Sequence, residues 1–419
     1  MISRVRGTRD ILDTNGFDNV YQALQKHLKK YRFQEIIVPI IEYTDLFKRA
    51  LGNETDVVSK EMFLVSSSSQ DKDTSESASM CLRPEATASV VRAFIENGVQ
   101  DMPWKVFTFG PMFRYERPQK GRFREFFQCS MEVIGSACYA QDVAVIEMLH
   151  AFFQDVCGLT EYALHINYLG CYDDRIAFKK VLQTFLENHT DLLCKTCLQR
   201  KDTNPLRIFD CKSEQCHKLY QTAPRLTDAL CRICADEWQQ VQHRLQELSV
   251  SYVHSTTLVR GLDYYNKTIF EFVSPLLGAQ SAFCGGGRYD SLVALLGGKQ
   301  DQPSIGAAIG IDRLLLLLEV VQSPLLVAYQ ESLIIILPLS QEQQPLALYL
   351  GQFLRHHKKC VDILFDGSLK SMMRKAHKLG ARKVLLIGED EQAQGTVTIK
   401  DMVTGDAQTV AQAGLLEYI

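Results

Sequence analysis

Apolar and polar positions change rhythm several times along the chain, and each rhythm predicts an element. In GFDNVYQALQKHLKKYRF, Val20, Leu24, Leu28 and Tyr31 recur at helical spacing. FQEIIVPIIEY then reads as a strand, and its Pro39, unable to donate a ladder hydrogen bond, belongs at a sheet edge or an interface. EMFLV and MCLRPE are strand-like and flank SSSSQDKDTSESAS (66–79), which lacks an apolar pattern and reads as a mobile loop, a tolerated surface insertion with a functional lid as the alternative.

Segment 105–135 predicts a hairpin. Phe107, Phe109, Phe113 and Tyr115 alternate with Thr108, Gly110, Met112, Arg114 and Glu116. On the return strand Phe127, Cys129, Met131 and Val133 alternate with Gln128, Ser130 and Glu132. Strand side chains alternate faces, so the hairpin has an apolar underside and an upper side of charges and amides. Its loop, RPQKGR, is cationic where a plain hairpin needs only a turn, and Gly110 and Ser130 clear space on the polar face.

From about 170 to 250 the chain is rich in helical pattern and cysteine, an insertion before the strand pattern resumes at STTLVRGLDYYNKTIFEFV. SIGAAIG reads as a strand and IDRLLLLLEVV as a helix. After QSPLLVAYQES, strands LIIILPL, VDILF, KVLLIG and GTVTIKD alternate with helical stretches, which predicts a separate small α/β domain with a partly parallel sheet. The expected division is 1–325, with its insert at about 170–250, and 326–419.

Hydrophobic content of 46% and charged content of 23% belong to an ordinary globular chain. The start, MISRVRGTRDIL, has no signal-peptide pattern, and the apolar runs are too short to span a bilayer, so a cytoplasmic address and no membrane partner are expected. Thirteen cysteines without a secretion signal read as reduced thiols. A net charge of −3 leaves nucleic-acid binding to local patches.

Arg114 lies on the polar face of the hairpin, Arg260 in LVRGLDYY, and Arg313 opens the leucine-rich helix. A cation in a first helical turn opposes the macrodipole by up to ~1 kcal/mol and calls for an anion nearby. A carboxylate such as Asp312 or Glu116 answers that need, and so does a ligand. There is no GxxxxGK[ST], and CGGGRYDSL lacks the spacing of a dinucleotide fingerprint. Three arginines beside glycine-rich strands therefore suit a triphosphate gripped on an antiparallel sheet, with Mg²⁺ accompanying it. Glu85, Gln128, Glu132, Tyr264 and Tyr265 offer a polar pocket for a small cationic or amphoteric molecule. No motif pairs a nucleophile with a base, so the chemistry rests on positioning and charge stabilisation.

FRYERPQKGRFREFFQ, LVRGLDYYNKTIFEF, CGGGRYDSLVALLGG and IGIDRLLLLLE, with RGTRDIL near the start, resemble in kind and order the motifs of histidyl-tRNA synthetases, a class II aminoacyl-tRNA synthetase family. The resemblance covers nearly the whole chain. It implies an α+β catalytic domain with an antiparallel sheet and a small C-terminal α/β anticodon-binding domain. The implied reaction joins histidine to ATP as histidyl-adenylate and then transfers histidine to the terminal ribose of its tRNA; no tightly bound cofactor is expected. Carried over by motif, Arg114 holds the α-phosphate, Glu116 contacts adenine, Arg122 and Arg313 hold the outer phosphates, and Arg260 stabilises charge on the α-phosphate. Glu85, Thr87 and Gln128 take the ammonium end of histidine, Glu132 and Tyr265 the imidazole nitrogens, with Tyr264 beside them. A site that pairs both imidazole nitrogens rejects other side chains by roughly 10⁴ or more.

Ala86 and Ser130 depart from the family's usual glycines, Phe127 from a common histidine and Asp13 from a frequent proline. The alternative within the resemblance is the non-catalytic regulatory paralogue of ATP phosphoribosyltransferase, which typically lacks the terminal domain and parts of the arginine set. LKSMMRKAHKLGARK carries six cations and no acid, with Lys370, Arg374 and Lys378 on one helical face. These three, with Gln119 and Lys120 of the hairpin loop, are the expected tRNA contacts, and the family pairs as a homodimer around Pro39. CKTC (194–197) and CRIC (231–234) have zinc-knuckle spacing, with Cys211, Cys216 and His217 between them. The gap between the pairs exceeds that of common zinc ribbons and the family does not depend on zinc, so no metal is assigned and the thiols read as small buried groups.

Overall fold

The computed structural model describes residues 2–52, 55–66, 79–211, 213–326 and 332–419; most of the serine-rich stretch lies outside them. The chain forms two units, Met1–Val327 and Ala328–Ile419.

The first unit is organised by an eight-stranded sheet. In chain order the unit's strands are β1 (Gln34–Glu35), β2 (Ile41–Tyr43), β3 (Leu64–Val65), β4 (Met80–Leu82), β5 (Trp104–Phe113), β6 (Glu125–Ile134), β7 (Ala163–Tyr168), β8 (Val253–His254), β9 (Asn266–Val273), β10 (Ala282–Arg288) and β11 (Ser304–Gly310). The large sheet runs β1-β5-β6-β11-β10-β9-β7-β8. It is antiparallel throughout except where β1 and β8 add at the edges in parallel. β2, β4 and β3 make a separate small sheet.

The alternation read in the hairpin sets its register. Phe107 faces Met131 and Phe109 faces Cys129, while Thr108 faces Ser130 and Gly110 faces Gln128. Phe107, Cys129, Met131 and Val133 join a buried cluster with Val20, Leu24 and Leu28 of the Asn15–Lys30 helix and Leu314, Leu317 and Leu318 of the Ile311–Val320 helix. Each fully buried aliphatic or aromatic side chain there contributes about 1.5–3 kcal/mol. The underside is covered by helices, and the upper face is left for the site.

Two strand expectations give way. FQEIIVPIIEY breaks into β1 and β2, because Pro39 has no N–H and the Val38 carbonyl accepts from the buried Arg83 guanidinium at 2.9 Å, outside any ladder. LVRGLDYY is a looped segment, with β9 starting only at Asn266. The segment between β7 and β8 is largely helical. Its main helices are Tyr172–Glu187, Lys195–Thr203, Glu214–Tyr220 and Arg232–Glu247.

In the second unit, β12 (Ile334–Pro338), β13 (Val361–Ile363), β14 (Lys383–Ile387), β15 (Thr396–Asp401) and β16 (Ala407–Ala411) pair in the order β13-β12-β14-β15-β16. The first three are parallel and the last two antiparallel. β16 carries little apolar pattern, since Val410 is its one buried residue.

Arg288, at the end of β10, is 1% exposed, and its Nε lies 3.0 and 3.1 Å from the two oxygens of Asp142 in the Tyr139–Ala151 helix. Removing one member of such a pair strands a buried charge. Arg288→Ala should therefore cost about 3–5 kcal/mol in denaturant unfolding of the full chain, and a loss below about 1 kcal/mol would deny the pair its structural role.

Candidate active site

Four arginines from separate parts of the chain line one cavity of about 270 Å³, together with Gln128 and Glu271. Arg114 leaves the end of β5 with Nε donating to the Pro84 carbonyl at 2.9 Å and its guanidinium 5.4 Å from the Phe126 ring centre. Arg122, on the hairpin loop, pairs with Glu116. Arg313 reaches back from the first turn of its helix to the carbonyls of Gly121 (Nε, 3.1 Å) and Ala282 (Nη1, 2.5 Å). Arg260, on the 256–265 loop, donates through Nη1 to Glu271 Oε1 at 2.5 Å.

Each guanidinium is held by carbonyls, a ring or a carboxylate, so its direction is set before any ligand arrives. Burial pushes the Arg114, Arg122 and Arg313 guanidinium groups below the ordinary arginine range, and for Arg313 the Arg122 and Arg114 charges add to the effect. Burial is the largest influence on Arg260 and opposes its charge, but Glu271 together with Tyr265, Tyr264 and Cys284 raises that group on balance. Cations that depress one another across a shared cavity favour a polyanion between them. The Asp312 carboxylate pairs with Arg9 and accepts the Phe127 N–H at 2.7 Å.

Beside the cavity lies a closed acidic and aromatic cluster. Glu85 accepts the Thr87 and Ala88 N–H groups at 2.7 and 2.9 Å and so satisfies the start of the Thr87–Glu96 helix. Ala86 is the buried N-cap of that helix. Thr87 Oγ1 donates to Glu132 Oε1 at 2.7 Å, and Tyr289 Oη donates to Glu132 Oε2 at 2.5 Å. Glu132 faces Gly306 across the β6–β11 pair, where any side chain would overlap its carboxylate. The Tyr264 ring lies 4.5 Å from Tyr265 and 5.7 Å from Tyr289, centre to centre.

Burial pushes the Glu132 carboxyl up to about 8, against the pull of its Tyr289 and Thr87 hydroxyl donors. Burial likewise raises Glu85. An acid at about 8 is mostly neutral near pH 7 and ionises when a donor or cation comes to it.

Of the residues read from the sequence, Arg114, Glu116, Arg122, Gln128, Arg260 and Arg313 line the cavity. Glu85, Thr87, Glu132, Tyr264 and Tyr265 are buried together next to it, at most 8% exposed, and do not line it. Gln128 Oε1 is buried and has no hydrogen-bond partner among the described residues. Arg260 joins the two groups, its guanidinium 5.8 Å from the Tyr265 ring centre. Sequence reasoning missed Glu271 and Tyr289. The first was visible as the lone charge in TIFEFV; the second had no signal until β10 brought it to Glu132.

Gln119 and Lys120 are exposed at the tip of the hairpin loop, where Gln119 and Arg122 exchange backbone hydrogen bonds of 3.1 and 2.9 Å. In the second unit, Lys370, Arg374 and Lys378 are exposed along the Leu369–Lys378 helix, which buries Met372 and Ala376. The two CxxC pairs do not meet. Cys194 and Cys197 cluster with Cys211 and Cys216, and Cys231 and Cys234 with Cys171 and Asp174.

Comparison with known proteins fits this geometry. The family described as histidyl-tRNA synthetase matches residues 8–314. The chain belongs to the histidyl-tRNA synthetase family. An anticodon binding domain matches residues 333–419. The histidine–tRNA ligase of Desulfatibacillum aliphaticivorans is 40% identical, covering 100% of this chain and 98% of the relative, and that of Aquifex aeolicus is 40% identical, covering 98% of each. A crystal structure of apo S. aureus histidyl-tRNA synthetase superposes with a TM-score of 0.82 at 33% identity, over 100% of this chain and 99% of that one. The fold is that of the class II family, a large sheet domain with a separate α/β anticodon-binding domain. Among the described residues no helix is long and apolar enough to cross a membrane.

The raised Glu132 group makes stability depend on pH. Between about 4.5 and about 8 the folded chain keeps a proton that the unfolded chain releases, so this contribution is full below the unfolded value and is lost as pH rises through about 8. Denaturant midpoints compared at about pH 5 and about pH 9 should fall less for Glu132→Gln than for the parent chain. Identical pH slopes would mean that the fold does not hold that proton.

Proposed function

We propose that the chain is a histidine–tRNA ligase in which the four-arginine cavity takes the phosphates of ATP and the adjoining cluster takes histidine. The observation that carries this reading is the convergence of Arg114, Arg122, Arg260 and Arg313 on one cavity beside the buried, raised Glu132 carboxyl. Arg114 holds the α-phosphate, Arg122 and Arg313 the outer phosphates, and Glu116 the adenine. A carboxylate oxygen of histidine attacks the α-phosphorus, the bond to the β-phosphate bridging oxygen breaks, and pyrophosphate leaves. Arg260 meets the charge that gathers on the α-phosphate as this happens. A ribose hydroxyl of the tRNA end then attacks the histidyl carbonyl carbon, and AMP leaves.

Mg²⁺ would enter with the triphosphate, and Glu271 is a carboxylate within the cavity whose oxygens suit it. Glu85, Thr87 and Gln128 receive the ammonium end. Glu132 and Tyr265 pair the imidazole nitrogens, with Tyr264 packed alongside. The cluster is closed, so histidine enters by displacing side chains that touch one another.

Residues 1–325, with the insert at about 170–250, form the catalytic part, and 326–419 the anticodon-binding part. Gln119 and Lys120 meet the acceptor end of tRNA, and Lys370, Arg374 and Lys378 its phosphates. A homodimer through the Pro39 region is supported by the exposed apolar side chains on either side of that proline, Ile37 (95% exposed), Ile40 (41%) and Ile41 (50%). Thirteen free cysteines suit a reducing, cytoplasmic setting. The regulatory-paralogue alternative is not favoured, because the 40% identical relatives that match the full length are ligases.

Pyrophosphate exchange run with each amino acid in turn should respond to histidine alone; ATP binding without exchange would sink the reading. Arg260→Ala should slow single-turnover adenylation on the order of 10²–10³-fold while leaving histidine affinity within a few-fold. An unchanged rate would remove that residue from the reacting centre. Ile37→Asp should shift the chain from dimer to monomer in sedimentation, and an unshifted dimer would place the interface elsewhere.

A further inference from the structure

The helical insert holds two groups of metal-ligating side chains that histidine activation does not use. In the first, the Sγ atoms of Cys194, Cys197, Cys211 and Cys216 all lie within 4.8 Å of one another, three of the residues buried and Cys194 half-buried. Cys194 Sγ is 3.7 Å from Cys211 Sγ. A disulfide would need about 2.05 Å. Four thiolates at about 2.3 Å from a tetrahedral zinc ion stand roughly 3.8 Å apart, the edge of that tetrahedron. The spacing in the chain fits as well. Cys194 and Cys197 have two residues between them and Cys211 and Cys216 have four, within the range of structural zinc sites.

The surroundings point the same way. The Cys194 N–H is directed at Cys216 Sγ and the Ser213 N–H at Cys211 Sγ, each at 3.4 Å, as backbone donors are around metal-bound thiolates. Leu193, Ile208, Leu219 and Tyr220 bury the cluster in an apolar setting. The elements carrying the four cysteines are short: the Lys195–Thr203 helix has nine residues and the Glu214–Tyr220 helix seven. Small pieces with little core of their own are where a metal cross-link contributes most.

The second group, Cys171, Asp174, Cys231 and Cys234, is explained without an ion. Asp174 spends its two oxygens on the Cys171 and Cys231 N–H groups, at 3.2 and 2.9 Å, which closes the starts of two helices, and Cys231 is exposed.

We propose that Cys194, Cys197, Cys211 and Cys216 bind one zinc ion as a four-thiolate structural centre. Binding forms four Zn–S bonds and releases the proton of each thiol that was protonated, leaving a closed site with no open position for catalysis. Its effect reaches the active site where the insert meets the 256–265 loop. The helix that begins at the Cys194 knuckle ends at Asn204, whose side-chain amide donates to Asp263 Oδ1 at 3.0 Å. Asp263 precedes Tyr264 and Tyr265 on the loop that carries Arg260. Zinc loss should therefore loosen that loop.

The test reads metal directly and is independent of the activity assay. Full-length chain purified without chelator should hold one zinc per chain by plasma mass spectrometry. Cys194→Ser with Cys197→Ser should lose it, and Cys231→Ser with Cys234→Ser should keep it. If the first variant fails to fold, the parent chain serves: mercurial titration followed with a chromogenic chelator should release one zinc per chain, and cobalt in place of zinc should give the visible bands of a tetrahedral four-thiolate site. Substoichiometric zinc in the parent chain, iron in its place, or metal retained after loss of Cys194 and Cys197 would overturn the proposal.

Discussion

The register of β5 against β6 is the constraint on which the rest depends. Because side chains alternate, a slip of one residue would carry Gln128 and Glu132 into the helix-packed underside and lift Cys129 and Met131 to the cavity. What prevents the slip is the underside itself, where Phe107, Cys129, Met131 and Val133 are at most 1% exposed against the helices. Apolar burial on one face thus fixes the position of polar chemistry on the other. β11 and β10 extend the same register, so Gly306 meets Glu132 and β10 ends where Tyr289 can reach that carboxylate.

Charges in this unit divide into those the fold consumes and those it leaves available. Arg288 and Asp142 spend theirs on each other, as do Arg9 and Asp312. The four cavity arginines are oriented by neighbours but open to the cavity, and three of them are pushed toward losing charge by burial. Gathering four cations around one cavity is a cost that the core has to offset.

Much of this was legible in the sequence, for physical reasons that differ by region. The hairpin was readable because period-two alternation over ten-residue strands is a strong signal, and Arg114, Gln128 and Glu132 came with it. The arginines converged as read, though their individual partners did not follow from the sequence, since pairing Arg260 with Glu271 depends on a loop crossing a strand. LVRGLDYY looked like a strand start because Leu258, Val259 and Leu262 are apolar, yet Leu258 and Leu262 pack as loop residues. The cysteines misled by spacing: CxxC pairs are visible in a linear text, but which pair meets which is decided by how the insert's short helices turn. β16 was invisible because one buried side chain makes no pattern.

The hold of Glu271 on Arg260 has a kinetic consequence. A guanidinium that must be searched for among rotamers would make every turnover include a conformational step. Here the carboxylate already aims it, and an incoming phosphate competes with a fixed anion instead of capturing a swinging one. Exchange of one acidic neighbour for another is a short movement, so the waiting time for alignment is spent once, when the chain folds, and not at each catalytic cycle.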